Sequence, residues 1–309
     1  MRVVFIGTGE IGLPVLRWLT ASSEHQLVGV VTQPDKPVGR EQTIQPPPIK
    51  AALGASAIPV LQPERIKRED AVTSIRALAP DLIVVMAYGQ ILPRSVLEIP
   101  PVACLNLHAS LLPRHRGAAP IQAAIVDGDR ESGITVMYMD EGLDTGDILF
   151  RSKLTLARDE TGGSLHDKLA EIAPTALAEA MGLLATGSAP RIPQDASVAT
   201  SAPKLEREHG LIDWSQPAEL VARRIRAYEP WPGSYTIVRD PAGKERKVKL
   251  FGATSLAHPA IPPGRLCSGP GRRLLIGAGD GAVAITDAQL EGKKRMSTSE
   301  LLRGHSWLV

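Results

Sequence analysis

The sequence predicts an α/β chain, with a mainly parallel sheet covered by helices and a small β domain after it. Three observations predict this. Short apolar runs alternate with helical patterns through the first part of the chain, which is how strand–helix–strand units read. The segment Thr186–Pro203 is rich in Gly, Ala, Ser, Pro and Thr and has no helical stripe, so it reads as an extended linker. Beyond it the chain is strand-rich and punctuated by Gly and Pro turns. A chain of 309 residues is long enough for about two domains.

Taken in order, strands are expected at Val3–Ile6, Leu27–Thr32, Leu82–Ala87, Ala103–Leu107 and Ile134–Met139. Each is apolar or β-branched and bounded by turn residues. Helical spacing lies between them at Ile11–Leu19, around Ile75–Leu78, and at Ala118–Val126. A longer helix is expected at Ser164–Leu184. After the linker come a helix at Ala218–Tyr228 and strands at Lys247–Phe251, Arg273–Ile276 and Ala282–Thr286. The expected domains are residues 1–188, a linker at 189–205, and residues 206–309.

Composition is ordinary for a globular protein, with 43% hydrophobic and 22% charged residues. Cys104 and Cys267 lie far apart and have no metal or redox spacing, which fits a reduced, cytoplasmic setting. No signal peptide is read at the N-terminus, and no apolar run reaches the ~20 residues of a membrane span. The net charge of +2 divides unevenly: residues 1–205 are acidic by three and residues 206–309 basic by five. A basic second part suits contact with a polyanion, although a chance imbalance would look the same.

The chemistry concentrates in Cys104–Pro113 and in Gly142–Asp147. Strand side chains alternate, so Asn106 and His108 share one face while Leu105 and Leu107 face the core. In a parallel sheet, ligands bind beyond the carboxyl ends of the strands, and this pair sits at such an end. Asp144, on a Gly-flanked loop, supplies a carboxylate. Amide, imidazole and carboxylate together suit acyl transfer. Ser110 lacks the G-x-S-x-G elbow of a hydrolase nucleophile. No second His stands at metal-ligand spacing, and His115, after a Pro-Arg pair, reads as exposed. Asp147 reads as a capping or solvated group.

Three other segments carry two readings each. Gly7-Thr8-Gly9-Glu10-Ile11-Gly12 matches G-x-G-x-x-G and is either a dinucleotide turn or a tight β–α turn; Asp35, displaced behind Pro34, weakens the first. The connection from Thr32 to Pro48 is either a functional loop, with Lys36, Arg40 and Lys50 for phosphates, or a mobile surface loop. Ala87–Pro93 either offers backbone groups to a flat heterocycle or is a plain turn with a surface Tyr88.

In this order these segments resemble the formyltransferase family that uses 10-formyltetrahydrofolate. Arg116-Gly117-Ala118-Ala119-Pro120-Ile121-Gln122, Ile212-Asp213-Trp214 and Glu229-Pro230-Trp231-Pro232 extend the resemblance over nearly the whole chain, toward the branch that acts on tRNA. The resemblance implies a Rossmann-like formyltransferase domain without a nucleotide cofactor, followed by a small OB-like β-barrel that helps hold tRNA. It implies Asn106, His108 and Asp144 as the catalytic trio. Ser110, Leu111, Leu112 and Pro113 would contact folate. Met86, Ala87, Tyr88, Gly89, Gln90, Ile91 and Leu92 would line the pterin pocket. Arg40, with Lys36, would engage tRNA. Family loops often carry lysines after that Arg; here Glu41-Gln42-Thr43 follows, so the loop is less basic.

The expected reaction moves the formyl group of 10-formyltetrahydrofolate to the α-amine of methionine on initiator tRNA. It uses no metal and no NAD, and the working unit is expected to be a monomer. Asn106 and His108 would donate to the developing oxyanion, and Asp144 would support protonated His108 and help take the amine proton. The competing expectations are an amino-sugar formyltransferase, a formylfolate hydrolase, an NAD-dependent oxidoreductase and an RNA-binding protein without activity.

Overall fold

The computed structural model describes residues 1–39, 41–258 and 261–309. They form two compact units. The first comprises Met1–Pro120, Glu131–Leu154 and His166–Pro203; the second comprises Ile121–Arg130, Thr155–Leu165 and Lys204–Val309.

The first unit begins with β1 (Arg2–Gly7), α1 (Leu13–Ala21) and β2 (Gln26–Val31). A two-stranded hairpin follows, β3 (Lys36–Val38) and β4 (Thr43–Gln45), then α2 (Pro48–Leu53) and β5 (Val60–Leu61). Next come α3 (Glu69–Ala77), β6 (Leu82–Met86), α4 (Arg94–Leu97) and β7 (Ala103–His108). The chain then forms α5 (Pro120–Asp127), which past Pro120 belongs to the second unit, returns to the first unit as β8 (Glu131–Tyr138) and β9 (Ile148–Thr155), and continues into the long α6 (Gly162–Ala185), which belongs to the first unit from His166 onward.

The sheet order is β5-β2-β1-β6-β7-β8-β9. Pairings from β5 to β7 are parallel, and β8 joins β7 antiparallel. The mainly parallel α/β sheet is therefore as the alternation predicted. Its central strands are buried on both faces, which is why β1 and β6 are unbroken apolar runs and not alternating ones. The chain steps from β1 outward to β2 and β5, then returns to the other side of β1 as β6. That reversal opens the crevice at the carboxyl ends of β1 and β6.

At this crevice the Gly7–Gly12 turn is committed within the chain. The Thr8 and Gly9 amides donate to the Ala87 carbonyl at 3.2 and 3.4 Å. A Cβ on Gly7 would stand 2.8 Å from the Met86 carbonyl oxygen, so the pairing of β1 with β6 demands glycine there. Two amides of the turn are thereby spent on the end of β6, and the Gly12 amide on the Gly9 carbonyl.

The segment expected as a free linker is extended, yet it is bound along its length to the first unit. Ile192 exchanges both backbone hydrogen bonds with Ile148, at 2.8 and 3.0 Å, and Ala202 N–H donates to the Arg116 carbonyl at 2.7 Å.

The second unit carries α7 (Ala218–Ala227), β10 (Tyr235–Arg239), β11 (Glu245–Leu256), β12 (Leu266–Ser268), β13 (Leu274–Ala278), β14 (Gly281–Leu290), β15 (Met296–Ser297) and α8 (Thr298–Gly304). The sheet is antiparallel throughout, in the order β10-β11-β14-β13-β12, with β15 beside β14. α7 lays Ala218, Val221, Ala222 and Ile225 into a core with Val248, Leu250, Ile276, Val283 and Ile285. The Asp280 carboxylate accepts the first amide of that helix, Ala218 N–H, at 2.7 Å. A Ser297–Glu300 capping box starts α8. Among the described residues no helix is long and apolar enough to cross a membrane.

Candidate active site

β7 carries Asn106 and His108 to the carboxyl end of the sheet, as alternation requires. Leu105 and Leu107 are buried, at 0% and 3% exposure. His108 is itself only 6% exposed. The Gly142–Asp147 loop between β8 and β9 brings Asp144 to the same place, at 11% side-chain exposure. The structure thus gathers the three residues from two separate segments. Asn106 Nδ2 lies 3.4 Å from Asp144 Oδ1, and His108 Nδ1 lies 3.6 Å from Asp144 Oδ2.

The protonation state follows from the partners. His108 Nε2 lies 2.9 Å from the His115 carbonyl oxygen. A carbonyl only accepts, so Nε2 carries the hydrogen. Burial lowers the His108 pKa below the usual 6.5, against the raising effects of Asp144 and the His115 carbonyl; the His115 ring lowers it further. The resting ring is therefore neutral, and Nδ1 presents a lone pair. This differs from the sequence expectation of a protonated His108 donating to an oxyanion. The donor nitrogen is spent on His115, and the free nitrogen is a base. Nδ1 and Asp144 Oδ2 are both acceptors facing one space, which suits a group arriving with a proton.

Asp144 is held from several directions. Gly117 N–H donates to Oδ2 at 2.8 Å. The Asp144 backbone sits in the left-handed region, at φ 54°. Gly146 makes the loop possible: a Cβ there would lie 1.8 Å from the Tyr138 carbonyl oxygen. Gln194 Nε2 donates to the carbonyls of Asp144 and Gly146 at 2.9 and 2.8 Å. Arg116 Nε and Nη2 in turn donate to Gln194 Oε1 at 3.1 and 2.8 Å. Asp147, expected as capping or solvated, lies 3.8 Å from Arg191.

His115 is buried, at 2% exposure, and not exposed as the Pro-Arg context suggested. Its left-handed backbone (φ 61°) turns it inward, where Thr200 Oγ1 accepts its amide at 2.8 Å. Gln194 and Thr200 were not legible as site-supporting residues. Their segment carries no motif, and only the fold brings it alongside.

The segments expected to meet folate divide by exposure. Ser110 and Leu112 are buried; Leu111 and Pro113 are half-exposed. Ser110 Oγ donates to the Arg114 carbonyl at 2.6 Å, so the hydroxyl serves its own turn. Met86, Tyr88 and Leu92 are buried, whereas Ala87, Gly89 and Ile91 are exposed and Gln90 is half-buried. Tyr88 is thus not the surface residue of the plain-turn reading, and burial pushes its phenol up to about 12. The Gln90 side chain bridges Ile66 N–H and the Glu64 carbonyl. Ile91 projects at 79% exposure. A separate open cavity of ≈ 540 Å³, lined by Met1, Arg2, Glu24, His25 and Asp81 among others, shares no residue with the trio.

Of the residues expected to meet tRNA, Lys36 is exposed on β3 with Nζ against Gln33 Oε1. Arg40 lies outside the described residues. Lys50 is paired with Asp35 at 2.8 Å and with Gln62 at 2.7 Å. Those bonds occupy the Asp35 carboxylate after β2. Among the described residues no group of three or more His, Cys, Asp or Glu is placed to hold a metal.

A neutral base, a carboxylate facing its free nitrogen and an amide beside both suit direct transfer between two bound substrates, because the Ser110 hydroxyl is tied into its own turn. The fold and site thus describe an α/β group-transfer enzyme. The particular family is shown by comparison with known proteins: residues 1–181 match the model described as "Formyl transferase" and residues 204–306 that described as "Formyl transferase, C-terminal domain". The chain belongs to the formyl transferase family.

It is 49% identical to methionyl-tRNA formyltransferase of Akkermansia muciniphila over 306 residues, covering 99% of this chain and 97% of that one. Identity to the methionyl-tRNA formyltransferase of Geobacter sulfurreducens is 44%, covering 98% and 94%. Among solved structures, the fold is similar to methionyl-tRNA formyltransferase from Clostridium thermocellum, with TM-score 0.58, 17% identity and coverage of 83% and 94%. It is also similar to HypX from Aquifex aeolicus in complex with tetrahydrofolic acid, with TM-score 0.63, 21% identity and coverage of 98% and 47%.

Proposed function

We propose that this chain transfers the formyl group of 10-formyltetrahydrofolate to the α-amino group of methionyl initiator tRNA. The observation that carries the reading is the trio. A neutral His108 whose Nδ1 is free to accept a proton lies 3.6 Å from Asp144, with Asn106 beside both. Identity above 40% to methionyl-tRNA formyltransferases over nearly the whole chain supports this choice of substrates.

In this mechanism His108 Nδ1 accepts a proton as the amine nitrogen bonds to the formyl carbon. Asp144 then faces an imidazolium in place of a lone pair, and the new charge is paired as it forms. Asn106 Nδ2 donates to the formyl oxygen while that oxygen gains charge; one such donor is worth about 10²–10³ in rate. The bond from the formyl carbon to folate N10 breaks, and N10 takes the proton that His108 held. The His115 carbonyl keeps a hydrogen on Nε2 throughout, so the proton comes and goes at Nδ1.

The exposed Ala87, Gly89 and Ile91, with half-exposed Leu111 and Pro113, are the residues proposed to hold the folate. The tRNA is proposed to meet Arg40, Lys36 and the basic second unit. Part of that unit's positive charge is already used within it, by Arg246 with Asp240 at 2.9 Å and by Arg295 with Glu229 at 2.7 Å. A monomer is the proposed working unit, and the tRNA substrate proposed for it supports a cytoplasmic location.

The test is a transfer assay with 10-formyltetrahydrofolate and methionyl-tRNA, run beside free methionine, an amino-sugar nucleotide and water as acceptors. Formyl transfer confined to methionyl-tRNA is the expected result. Transfer to the sugar or to water instead would overturn the reading.

A further inference from the structure

The carboxylate and the carbonyl that flank His108 are both held by one segment, residues 192–202. We propose that this segment is a strap that positions the catalytic groups, with Gln194 setting the Asp144 loop and Thr200 setting the His115 carbonyl. The proposal rests on the function given above.

Gln194 makes four hydrogen bonds with one side-chain amide. Nε2 donates to two carbonyls in the same loop, those of Asp144 and Gly146. Oε1 accepts two bonds from the Arg116 fork. An amide supplies donors at one end and an acceptor at the other; Glu lacks the donors, and Met lacks them too and offers only a weak acceptor. The Asp144 backbone is left-handed, a conformation that Asp adopts more readily than most residues but that is uncommon outside glycine. Gln194 anchors that turn from outside, through the Asp144 and Gly146 carbonyls.

Thr200 acts on the other partner. Its Oγ1 accepts the His115 amide at 2.8 Å and lies 3.3 Å from His115 Nδ1. Its carbonyl accepts Arg116 N–H at 2.8 Å. His115 is thus fixed in its own left-handed turn, with its carbonyl on His108 Nε2. The strap is tied at both ends, through Ile192 to Ile148 and through Ala202 to Arg116 and Ala119. The groups that face His108 are Asp144 and His115, and the strap holds each of them.

Both are positioning residues, so the test reads His108 as well as the rate. The full-length chain is labelled with ¹⁵N-histidine, His108 is assigned through His108→Gln, and its ring is titrated without substrate. Gln194→Met keeps shape and removes all four hydrogen bonds. Its His108 midpoint is expected to fall, as in Asp144→Asn, because the carboxylate that raises it drifts away. Single-turnover transfer is expected to fall between about tenfold and a hundredfold, the usual cost of a slightly misplaced group. In the Asp144→Asn background, Gln194→Met should cost less than about twofold more, since residues acting through one group do not add. Thr200→Val should lower the rate and Thr200→Ser restore it, a pair that decides the matter if Gln194→Met does not fold. Losses that multiply in the double variant, or an unmoved His108 midpoint, overturn the proposal. A wild-type chain that fails to formylate methionyl-tRNA, with the midpoint still moved by Gln194→Met, overturns the functional reading and leaves the strap in place.

Discussion

Replacing Asp144 by Asn tests the site most directly. The amide keeps the size of the side chain and an oxygen for Gly117 N–H, but removes the charge. The imidazolium that forms on His108 then loses a carboxylate at 3.6 Å. At an effective dielectric of about 20, that interaction is on the order of 4–5 kcal/mol. At about 1.4 kcal/mol per decade, the upper bound on the rate loss is roughly three decades. The Gly117 amide already offsets part of the charge, so a loss of about 10²–10³ in single-turnover rate is expected. The pH profile gives a second reading. Asp144 raises the His108 pKa while burial lowers it. Without the carboxylate, the acid limb of kcat/KM moves further below 6.5 and the enzyme stays neutral at His108 to lower pH. Quench-flow at saturating substrates and a kcat/KM profile from pH 5 to 8 measure both. A rate within about threefold of wild type, or an acid limb that moves upward, would refute the electrostatic role.

Asn106→Ala is expected to lower single-turnover transfer by about 10²–10³ with little change in folate affinity, as a lost oxyanion donor does; fluorescence titration beside quench-flow separates the two. Gly146→Ala forces a methyl into 1.8 Å of the Tyr138 carbonyl, so the melting temperature should drop and transfer should fall with it. Arg40→Ala should raise KM for tRNA and leave folate binding unchanged, and an equal fall in folate affinity would give the loop another role. Affinity for tRNA should weaken steeply with salt through phosphate contacts, and a flat dependence between low and physiological salt would remove the second unit from tRNA binding. Because the folded His108 pKa lies below its unfolded value, stability should be full above pH 6.5 and decline as pH falls below it; His108→Gln should flatten that decline in thermal melts.

Much of the first unit was legible because its central strands are buried on both faces and leave unbroken apolar runs, as in Val3–Ile6 and Leu82–Met86. The hairpin at Lys36–Val38 and Thr43–Gln45 was not legible: all six of its residues are exposed, so no burial pattern marks it. β5 and β15 have two residues each and leave no period to read. β9 was missed although its outer half alternates, because only Ile148 and Leu149 are fully buried. At the site, the strand period alone set Asn106 and His108 on one face. Nothing local to His115 disclosed that it is buried, since its neighbours Arg114 and Arg116 are charged and it is Thr200, eighty-five residues on, that takes its amide.

The sequence by itself determined the alternation that makes a parallel sheet, the strand end that carries an amide and an imidazole, and a Gly-flanked carboxylate to answer them. These follow from short-range rules: side-chain period, turn residues and residue chemistry. Tertiary structure alone decided that His108 is neutral with its hydrogen on Nε2, because burial and one carbonyl from His115 settle a ring that local sequence leaves open. It also decided that the Thr8 and Gly9 amides close onto Ala87, and that the segment read as a linker holds Asp144 through Gln194. The last two are contacts between residues far apart in the chain, and only packing brings them within hydrogen-bond distance.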